Sequence, residues 1–214
     1  MAAGSAGGEL TRGPTPAELR QASAVELARR WQSWPAGKIF PERLPYVAEQ
    51  GGKEYARRVG VSTRTDCSAA VDAALRPAFR TAGCRAVLRA TYLDALQGVV
   101  VTIGVAAFPD TASASGAREA FPRAGAPSPG LRALAFPRTV ADRFTAAARQ
   151  SASLGQAGPY LVLTTAGQVD GRPARSVGHQ RASIFTFTAD LRERVLTTMA
   201  TPAHPDCAGK DWQC

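Results

Sequence analysis

Two runs of residues decide the fold: Cys84-Arg-Ala-Val-Leu-Arg-Ala-Thr-Tyr92 and Val99-Val-Val-Thr-Ile-Gly-Val-Ala-Ala107. In the first run apolar and polar residues alternate, which predicts a half-buried strand with a polar outer face. The second run is almost entirely apolar and rich in β-branched residues, which is typical of a strand near the centre of a sheet. The residues between them, 93–98, are predicted to form a turn.

Further strands are predicted toward the C-terminal half of the chain. Residues 160–165, Tyr-Leu-Val-Leu-Thr-Thr, follow a turn at 155–159 that contains glycine and proline, which is the pattern of a hairpin. We place the preceding strand at 143–153, although the apolar spacing between residues 139 and 156 also suits a helix. Residues 131–136 are predicted to form another strand.

The N-terminal helix is predicted from a capping box, Thr15-Pro-Ala-Glu18, with Pro16 at the first helical position. Pro35 ends this helix, because the residue before a proline avoids the helical conformation. One stripe at helical spacing predicts the buried face: Ala24, Leu27, Ala28, Trp31 and Trp34.

Shorter helices are expected elsewhere. Residues 68–76 predict a helix that Pro77 breaks, and residues 110–121 predict another that is rich in small side chains. The last helix is expected over about 188–200, with Thr188 as its cap. The expected core includes Trp31, Trp34, Leu88, Val101, Ile103, Val105, Leu161 and Leu163.

Extended pieces are also expected at 37–41 and 55–61. The order of elements predicts an α+β fold: a two-layer domain in which a mostly antiparallel sheet of about five strands packs against helices. Residues 1–14 are expected to form a flexible arm or linker, and 15–214 a single domain. The 214 residues suffice for one core, and no run approaches the roughly 18 apolar residues that a membrane span needs.

The four cysteines favour an oxidising compartment. Their even number allows complete pairing in three connectivities, and their spacing favours the local pairs Cys67–Cys84 and Cys207–Cys214. The first pair would join a helix to the sheet, and the second would close the C-terminal tail. If these disulfides form, the domain is extracytoplasmic. Four reduced thiols in a cytosolic protein are the alternative.

The chain is strongly basic, with 26 Lys and Arg against 17 Asp and Glu and a net charge of +9. A coding bias toward arginine and alanine would explain this excess without any function, whereas attraction to an anionic polymer or lipid is the functional explanation. The arginines are scattered, and the densest groups are Arg57-Arg58 and the arginines of residues 172–181. We therefore expect no specific recognition of nucleic acid.

Motifs for common chemistry are absent from the sequence, including the glycine-rich nucleotide loops, GxSxG and HExxH. His179 and His204 fall in predicted loops and are too few for a Cys/His metal site. Asp94, Asp110 and Asp170 fit turns and helix caps. We predict no catalytic residue, no metal site and no cofactor.

The most distinctive polar segment is the loop 169–181, which lies between a predicted strand and the last helix. Loops on a rigid scaffold often carry binding residues, although a solvated hairpin loop would have the same composition. The residues predicted to bind a ligand are Arg172, Arg175, His179 and Arg181.

Part of the sequence resembles a known group of proteins. The stretch Arg85-Ala-Val-Leu-Arg-Ala-Thr-Tyr-Leu-Asp94, the run that starts at Val99 and the helix after it are similar to uncharacterised extracytoplasmic domains of actinobacterial single-pass membrane or secreted proteins. The helix that ends at Trp31 and Trp34 and residues 160–172 are also similar. The resemblance implies a location outside the cytoplasm and an anchor before Met1, and it implies no activity or functional residue.

We therefore expect a non-enzymatic extracytoplasmic domain, membrane-anchored or secreted, that binds a protein partner or an anionic ligand at the cell surface. A small hydrolase or transferase without a recognisable motif is one alternative. A basic nucleic-acid-binding protein is another.

Overall fold

The structure is a computed structural model that describes residues 13–122, 126–174 and 182–203. The predicted arm at 1–14 falls almost entirely outside the described residues. The same holds for Arg175, His179, Arg181, Cys207 and Cys214, so the second predicted disulfide is not placed.

Within the described residues the chain forms six α-helices and six strands. The helices are α1 (Pro16–Ser33), α2 (Ala36–Ile39), α3 (Cys67–Ala70), α4 (Arg76–Thr81), α5 (Thr111–Arg118) and α6 (Phe187–Ala200). The strands are β1 (Arg43–Val47), β2 (Lys53–Val61), β3 (Ala86–Leu93), β4 (Val99–Ala107), β5 (Ser151–Ala157) and β6 (Tyr160–Gln168). None of these helices is long and apolar enough to cross a bilayer.

All six strands form one antiparallel sheet in the order β1-β2-β3-β4-β6-β5. The predicted central strands are confirmed, because β3 pairs with β4 along its whole length and every residue of β4 is buried. Strand β2 contains the extended piece predicted at 55–61. The predicted α+β class, an antiparallel sheet packed against helices, is confirmed with six strands instead of about five.

Helix α1 begins at the predicted capping box. The Thr15 hydroxyl accepts a hydrogen bond from the backbone N–H of Glu18 at 3.3 Å, and the Glu18 carboxylate accepts one from the backbone N–H of Thr15 at 2.7 Å. Trp34 is extended because Pro35 follows it, and the helix therefore ends at Ser33. Trp31 and Trp34 pack against the main core but stay partly exposed.

The main core lies on the inner face of the sheet. Helix α6 contacts β1 as well as β5 and β6, so the sheet curls around this helix. Apolar side chains of α6 meet alternate residues of the central strands here: Phe187, Leu191, Val195 and Met199 from the helix, and Val101, Ile103 and Val105 from β4.

Arg30 fastens α1 to the end of α6. Its side chain is 1% exposed, and its Nη1 donates to the carbonyls of Thr198, Met199 and Thr201 at 3.2, 3.0 and 2.7 Å. Its Nε and Nη2 donate to Glu26. Because the last carbonyls of a helix have no partner within the helix, one guanidinium caps α6 and fixes the position of α1.

The outer face is covered by α3, α4 and α5 and by an irregular segment, residues 131–148, which we call the crossing segment. Glycines in the strands make room for it. A Cβ on Gly60 would overlap Phe136, and a Cβ on Gly104 would overlap Leu131. Polar contacts anchor the segment, since the Thr91 hydroxyl donates to the carbonyl of Leu134 at 2.7 Å.

Arg149 ties the crossing segment to the loop before α4. Its Nη1 and Nη2 donate to the Asp72 carboxylate at 2.8 and 3.2 Å, and Nη1 also donates to the carbonyl of Leu131 at 3.0 Å. Burial raises the pKa of Asp72, but hydrogen bonds from Arg149 and from the backbone of Gly130 outweigh burial and hold this pKa below its ordinary value.

The predicted disulfide between Cys67 and Cys84 is present, and it joins the start of α3 to the residues before β3. A structural disulfide of this kind is consistent with an oxidising environment.

Several local predictions are wrong. Residues 37–41 begin in the helical turn of α2, where the Phe40 N–H donates to the carbonyl of Ala36, and they are not extended. Pro77 does not break a helix, because it lies in the first turn of α4, where no N–H donor is required. The last helix begins at Phe187, so Thr188 lies inside it and Thr186 takes the cap position.

The strand predicted at 131–136 is absent, and the strand predicted at 143–153 begins only at Ser151. In the first range only Leu131 forms an isolated bridge, and the rest belongs to the crossing segment. In the second range the chain is irregular up to a short 3-10 helix at Ala146–Ala148, and β5 begins at Ser151. The hairpin itself is confirmed, with a turn at Gly158 and Pro159 where Gly158 has φ +54°.

Candidate functional site

Of the loop residues predicted to bind a ligand, the structure describes Arg172. Its side chain is half exposed and forms an ion pair with Asp170, which raises the pKa of Arg172 and lowers that of Asp170. Its backbone carbonyl accepts a hydrogen bond from Gln150 at 2.8 Å. The charge of Arg172 is therefore balanced locally, and the structure does not test the remaining residues of the predicted set.

A group of cations without carboxylate partners lies on the outer face of the β1–β2 hairpin. The strand register places Arg43 directly opposite Arg57 and Val47 opposite Lys53, with Tyr55 between the two pairs. Arg43, Lys53 and Arg57 are exposed, and none of them forms an ion pair with a described residue. We call Arg43, Lys53, Tyr55 and Arg57 the basic hairpin face.

Tyr55 organises the basic hairpin face. The Arg43 guanidinium carbon lies 4.5 Å from the centroid of the Tyr55 ring, and the Lys53 ammonium nitrogen lies 5.4 Å from it. Both distances are within the range of a cation–π interaction. The ring therefore holds two cations close together on a surface where Arg57 already lies opposite Arg43. Like charges directly opposite each other destabilise a sheet, and a bound anion would relieve this repulsion.

Glu54 and Glu42, which lie on or next to the two strands, contact Tyr46 and Arg58 and not the basic hairpin face. Glu54 accepts a hydrogen bond from the Tyr46 hydroxyl at 2.5 Å. Burial and the bond to Glu54 raise the pKa of Tyr46 to about 12, so this proton stays in place. Glu42 lies 3.9 Å from Arg58, on the opposite side of the strand from Arg57.

Arg57 and Arg58 form one of the densest groups of positive charge in the sequence, and no site is predicted from them. In a strand these two side chains point to opposite faces, so the sequence pair is not a surface pair. The informative pattern is the alternation of Lys53, Tyr55 and Arg57, which places a cation, an aromatic ring and a cation on one face.

A cavity of about 980 Å³ runs along the edge strand β5. Its lining includes Ser115, Arg118, Leu154 and Arg192, and Glu119 is the one carboxylate among the lining residues that the structure describes. In residues 13–122, 126–174 and 182–203 no three His, Cys, Asp or Glu side chains are grouped so that they could hold a metal ion.

Comparison with protein families, with curated proteins and with solved structures finds no match to this chain. The roles of the residues therefore have to be argued from their geometry.

Proposed function

We propose that the chain is a non-enzymatic, extracytoplasmic binding domain that attaches to a phosphate-bearing anionic surface of the cell envelope through the basic hairpin face. The observation that carries this proposal is the opposed pair Arg43 and Arg57, with Lys53 beside them and no carboxylate partner among the described residues. The disulfide between Cys67 and Cys84 supports a location outside the cytoplasm.

The hairpin combines charge with exposed apolar surface. Val47 is 60% exposed on the same face as Lys53, and Leu96 is 85% exposed in the turn between β3 and β4. That turn contacts the inner face of β1, where the backbone N–H of Ala95 donates to the Tyr46 hydroxyl at 3.0 Å. Basic and apolar side chains together favour an interface of lipid headgroups over a fully dissolved polymer.

The size of the effect can be estimated from the number of cations. Each lysine or arginine close to an anionic bilayer contributes roughly 1 kcal/mol, so three contribute roughly 3 kcal/mol, or about a 100-fold change in affinity. The attraction weakens as the Debye length falls from about 10 Å at 0.1 M salt to about 3 Å at 1 M.

Cosedimentation with phosphatidylglycerol vesicles tests the proposal. The triple variant Arg43→Gln, Lys53→Gln, Arg57→Gln is compared with a control that loses three exposed cations elsewhere, Arg20→Gln, Arg80→Gln, Arg194→Gln. We expect roughly 100-fold weaker binding for the first variant and a change of a few-fold for the control, since the two have the same net charge.

Three further arms separate the alternatives. A soluble phosphodiester wall polymer that competes with the vesicles would identify the polymer as the source of the phosphate. Variants of Arg172, Arg175 and Arg181 test the loop that the sequence predicted. Equal weakening by both triple variants would show that only net charge matters, and tight binding to duplex DNA at moderate salt without vesicle binding would favour the nucleic-acid alternative.

A further inference from the structure

Arg89 is a buried arginine without a partner. It lies in the middle of β3 on the outer face of the sheet, and its side chain is 7% exposed. Its Nε has no hydrogen-bond partner, and its guanidinium forms no ion pair with any residue that the structure describes. The alternation in the sequence predicts a polar outer face for this side chain, and the prediction is wrong because the crossing segment covers that face.

The other two buried arginines of the described chain show what such a group ordinarily requires. Arg30 bonds to Glu26 and to three carbonyls, and Arg149 bonds to Asp72 and to the carbonyls of Leu131 and Ala146. Arg89 is as deeply buried as Arg149 but has none of these contacts. Because a buried guanidinium without an acceptor is unfavourable, Arg89 is available to a partner that does not belong to these residues.

Two segments bring further positive charge to Arg89. Residues 62–66 continue alongside β3, where the Ser62 N–H donates to the carbonyl of Arg89 at 2.8 Å, and they carry Arg64. On the other side, Leu131 of the crossing segment packs against Gly104, the cross-strand partner of Arg89, and Arg132 follows it. Burial, then the charge of Arg132 and then that of Arg64 lower the pKa of Arg89.

Asp66, whose charge interacts with that of Arg64, already has a structural role. Asp66 accepts hydrogen bonds from the Ser68 hydroxyl and the Ala69 N–H, both at 2.7 Å, and so caps α3. These bonds, with the charge of Arg64, hold the pKa of Asp66 below its ordinary value. Asp66 therefore balances Arg64 in part and leaves Arg89 and Arg132 without compensation.

We propose that Arg89, with Arg64 and Arg132, binds the phosphate group of a phosphomonoester at the outer face of β3, between residues 62–66 and the crossing segment. A guanidinium presents a planar fork of donors that matches phosphate oxygens. Three arginines close together suit a dianion better than a carboxylate, which carries a single charge. This site is separate from the basic hairpin face, because Arg64, Arg89 and Arg132 belong to residues 62–66, to β3 and to the crossing segment, whereas the hairpin face lies on β1 and β2.

Calorimetric titration of the full chain with inorganic phosphate, and separately with glycerol phosphate, tests the proposal. The variant Arg89→Met keeps most of the side-chain volume and removes the fork, and Arg80→Met is the control, because Arg80 is exposed on α4. We expect saturable binding to the wild type, about 100-fold weaker binding to Arg89→Met, and about tenfold weaker binding to Arg64→Gln or Arg132→Gln. The control is expected to change affinity less than about twofold.

Circular dichroism confirms that each variant is folded before titration, and Arg89→Lys gives a second measurement at the same position. Lysine keeps the charge but lacks the fork, so we expect binding intermediate between wild type and Arg89→Met. The proposal is overturned if the wild type shows no saturable binding of either ligand up to about 10 mM, or if Arg89→Met binds as well as wild type. Loss of binding in the Arg80→Met control would overturn it as well.

Discussion

Replacing Arg89 by methionine is expected to stabilise the unliganded domain. The substitution removes a charge that is 93% buried and that has no acceptor among the described residues, while it keeps an unbranched chain in the same space. Most substitutions of buried residues destabilise proteins, so a gain at this position would be diagnostic.

The expected change in the free energy of unfolding follows from the number of donors that have no hydrogen-bond partner. A buried donor without a partner costs roughly 1–3 kcal/mol, and the Nε of Arg89 is one such donor with no access to solvent. We therefore expect the free energy of unfolding to rise by about 2 kcal/mol. For a domain of this size that gain corresponds to a melting temperature roughly 4–8 °C higher.

Urea unfolding in a buffer free of phosphate measures the change, with Arg149→Met as the matched comparison. Arg149 has the same exposed fraction, 7%, but it is paired with Asp72, so its replacement leaves a partly buried carboxylate without this partner and should cost about 3 kcal/mol. We expect the free energy of unfolding to rise for Arg89→Met and to fall for Arg149→Met, although the two arginines are equally buried. A loss above about 1 kcal/mol for Arg89→Met would show that Arg89 stabilises the fold by itself and would refute the reasoning.

Three further predictions concern stability. The pKa of Asp72 is lowered in the folded state, so its pair with Arg149 contributes its full stability above the ordinary aspartate pKa of 3.8. This stability is lost as the pH falls through the lower folded-state pKa. The free energy of unfolding of Asp72→Asn should therefore fall less steeply with pH in this range than that of wild type. Leu161→Ala empties a fully buried site between β4 and β5 and should cost about 2–5 kcal/mol in urea unfolding. The double substitution Cys67→Ala, Cys84→Ala should cost about 2–4 kcal/mol, with equal stability of variant and wild type as the contradicting result.

The central strands and the first helix could be predicted because their signals are local. The β-branched run of β4 favours a strand that is buried on both faces, whatever its neighbours are. The capping box at Thr15 and Glu18 requires only four consecutive residues. The pairing of Cys67 with Cys84 is likewise set by two short elements that are close in sequence. Each of these features depends little on what packs against it.

The crossing segment could not be predicted because its conformation depends on distant residues. The apolar residues at 131–136 have the composition of a strand. The backbone of Leu134, however, forms hydrogen bonds with the hydroxyls of Thr91 and Thr102 on the outer face of the sheet, and not with the backbone of an edge strand. Gly104 and Gly60 allow this approach, since any larger residue would collide with Leu131 or Phe136. The glycines are visible in the sequence, but the segment that fills the space above them is not.

The basic hairpin face was missed for a related reason. Positive charge was judged by its density along the chain, which favoured the loop at Arg172, where Asp170 balances the charge. A surface group arises from register, which places Arg43 opposite Arg57 although fourteen positions separate their numbers. Charge per segment is therefore a poor guide to a binding surface in a sheet protein, and alternation within each strand is the better one.

Arg89 contradicts the rule that buried charges are paired, and no contact with a described residue compensates for this. Gly104 weakens a strand, but the close approach of Leu131 accounts for it, and the burial of Arg149 is answered by Asp72. A residue that contradicts a local rule and has no compensating contact in the structure often lies at a functional position. Arg89 breaks the rule that buried charges are paired, and methionine or leucine at this position would serve the described fold better. We therefore attribute the arginine to a partner outside the described residues, and the proposed phosphate is a partner that matches its planar fork of donors.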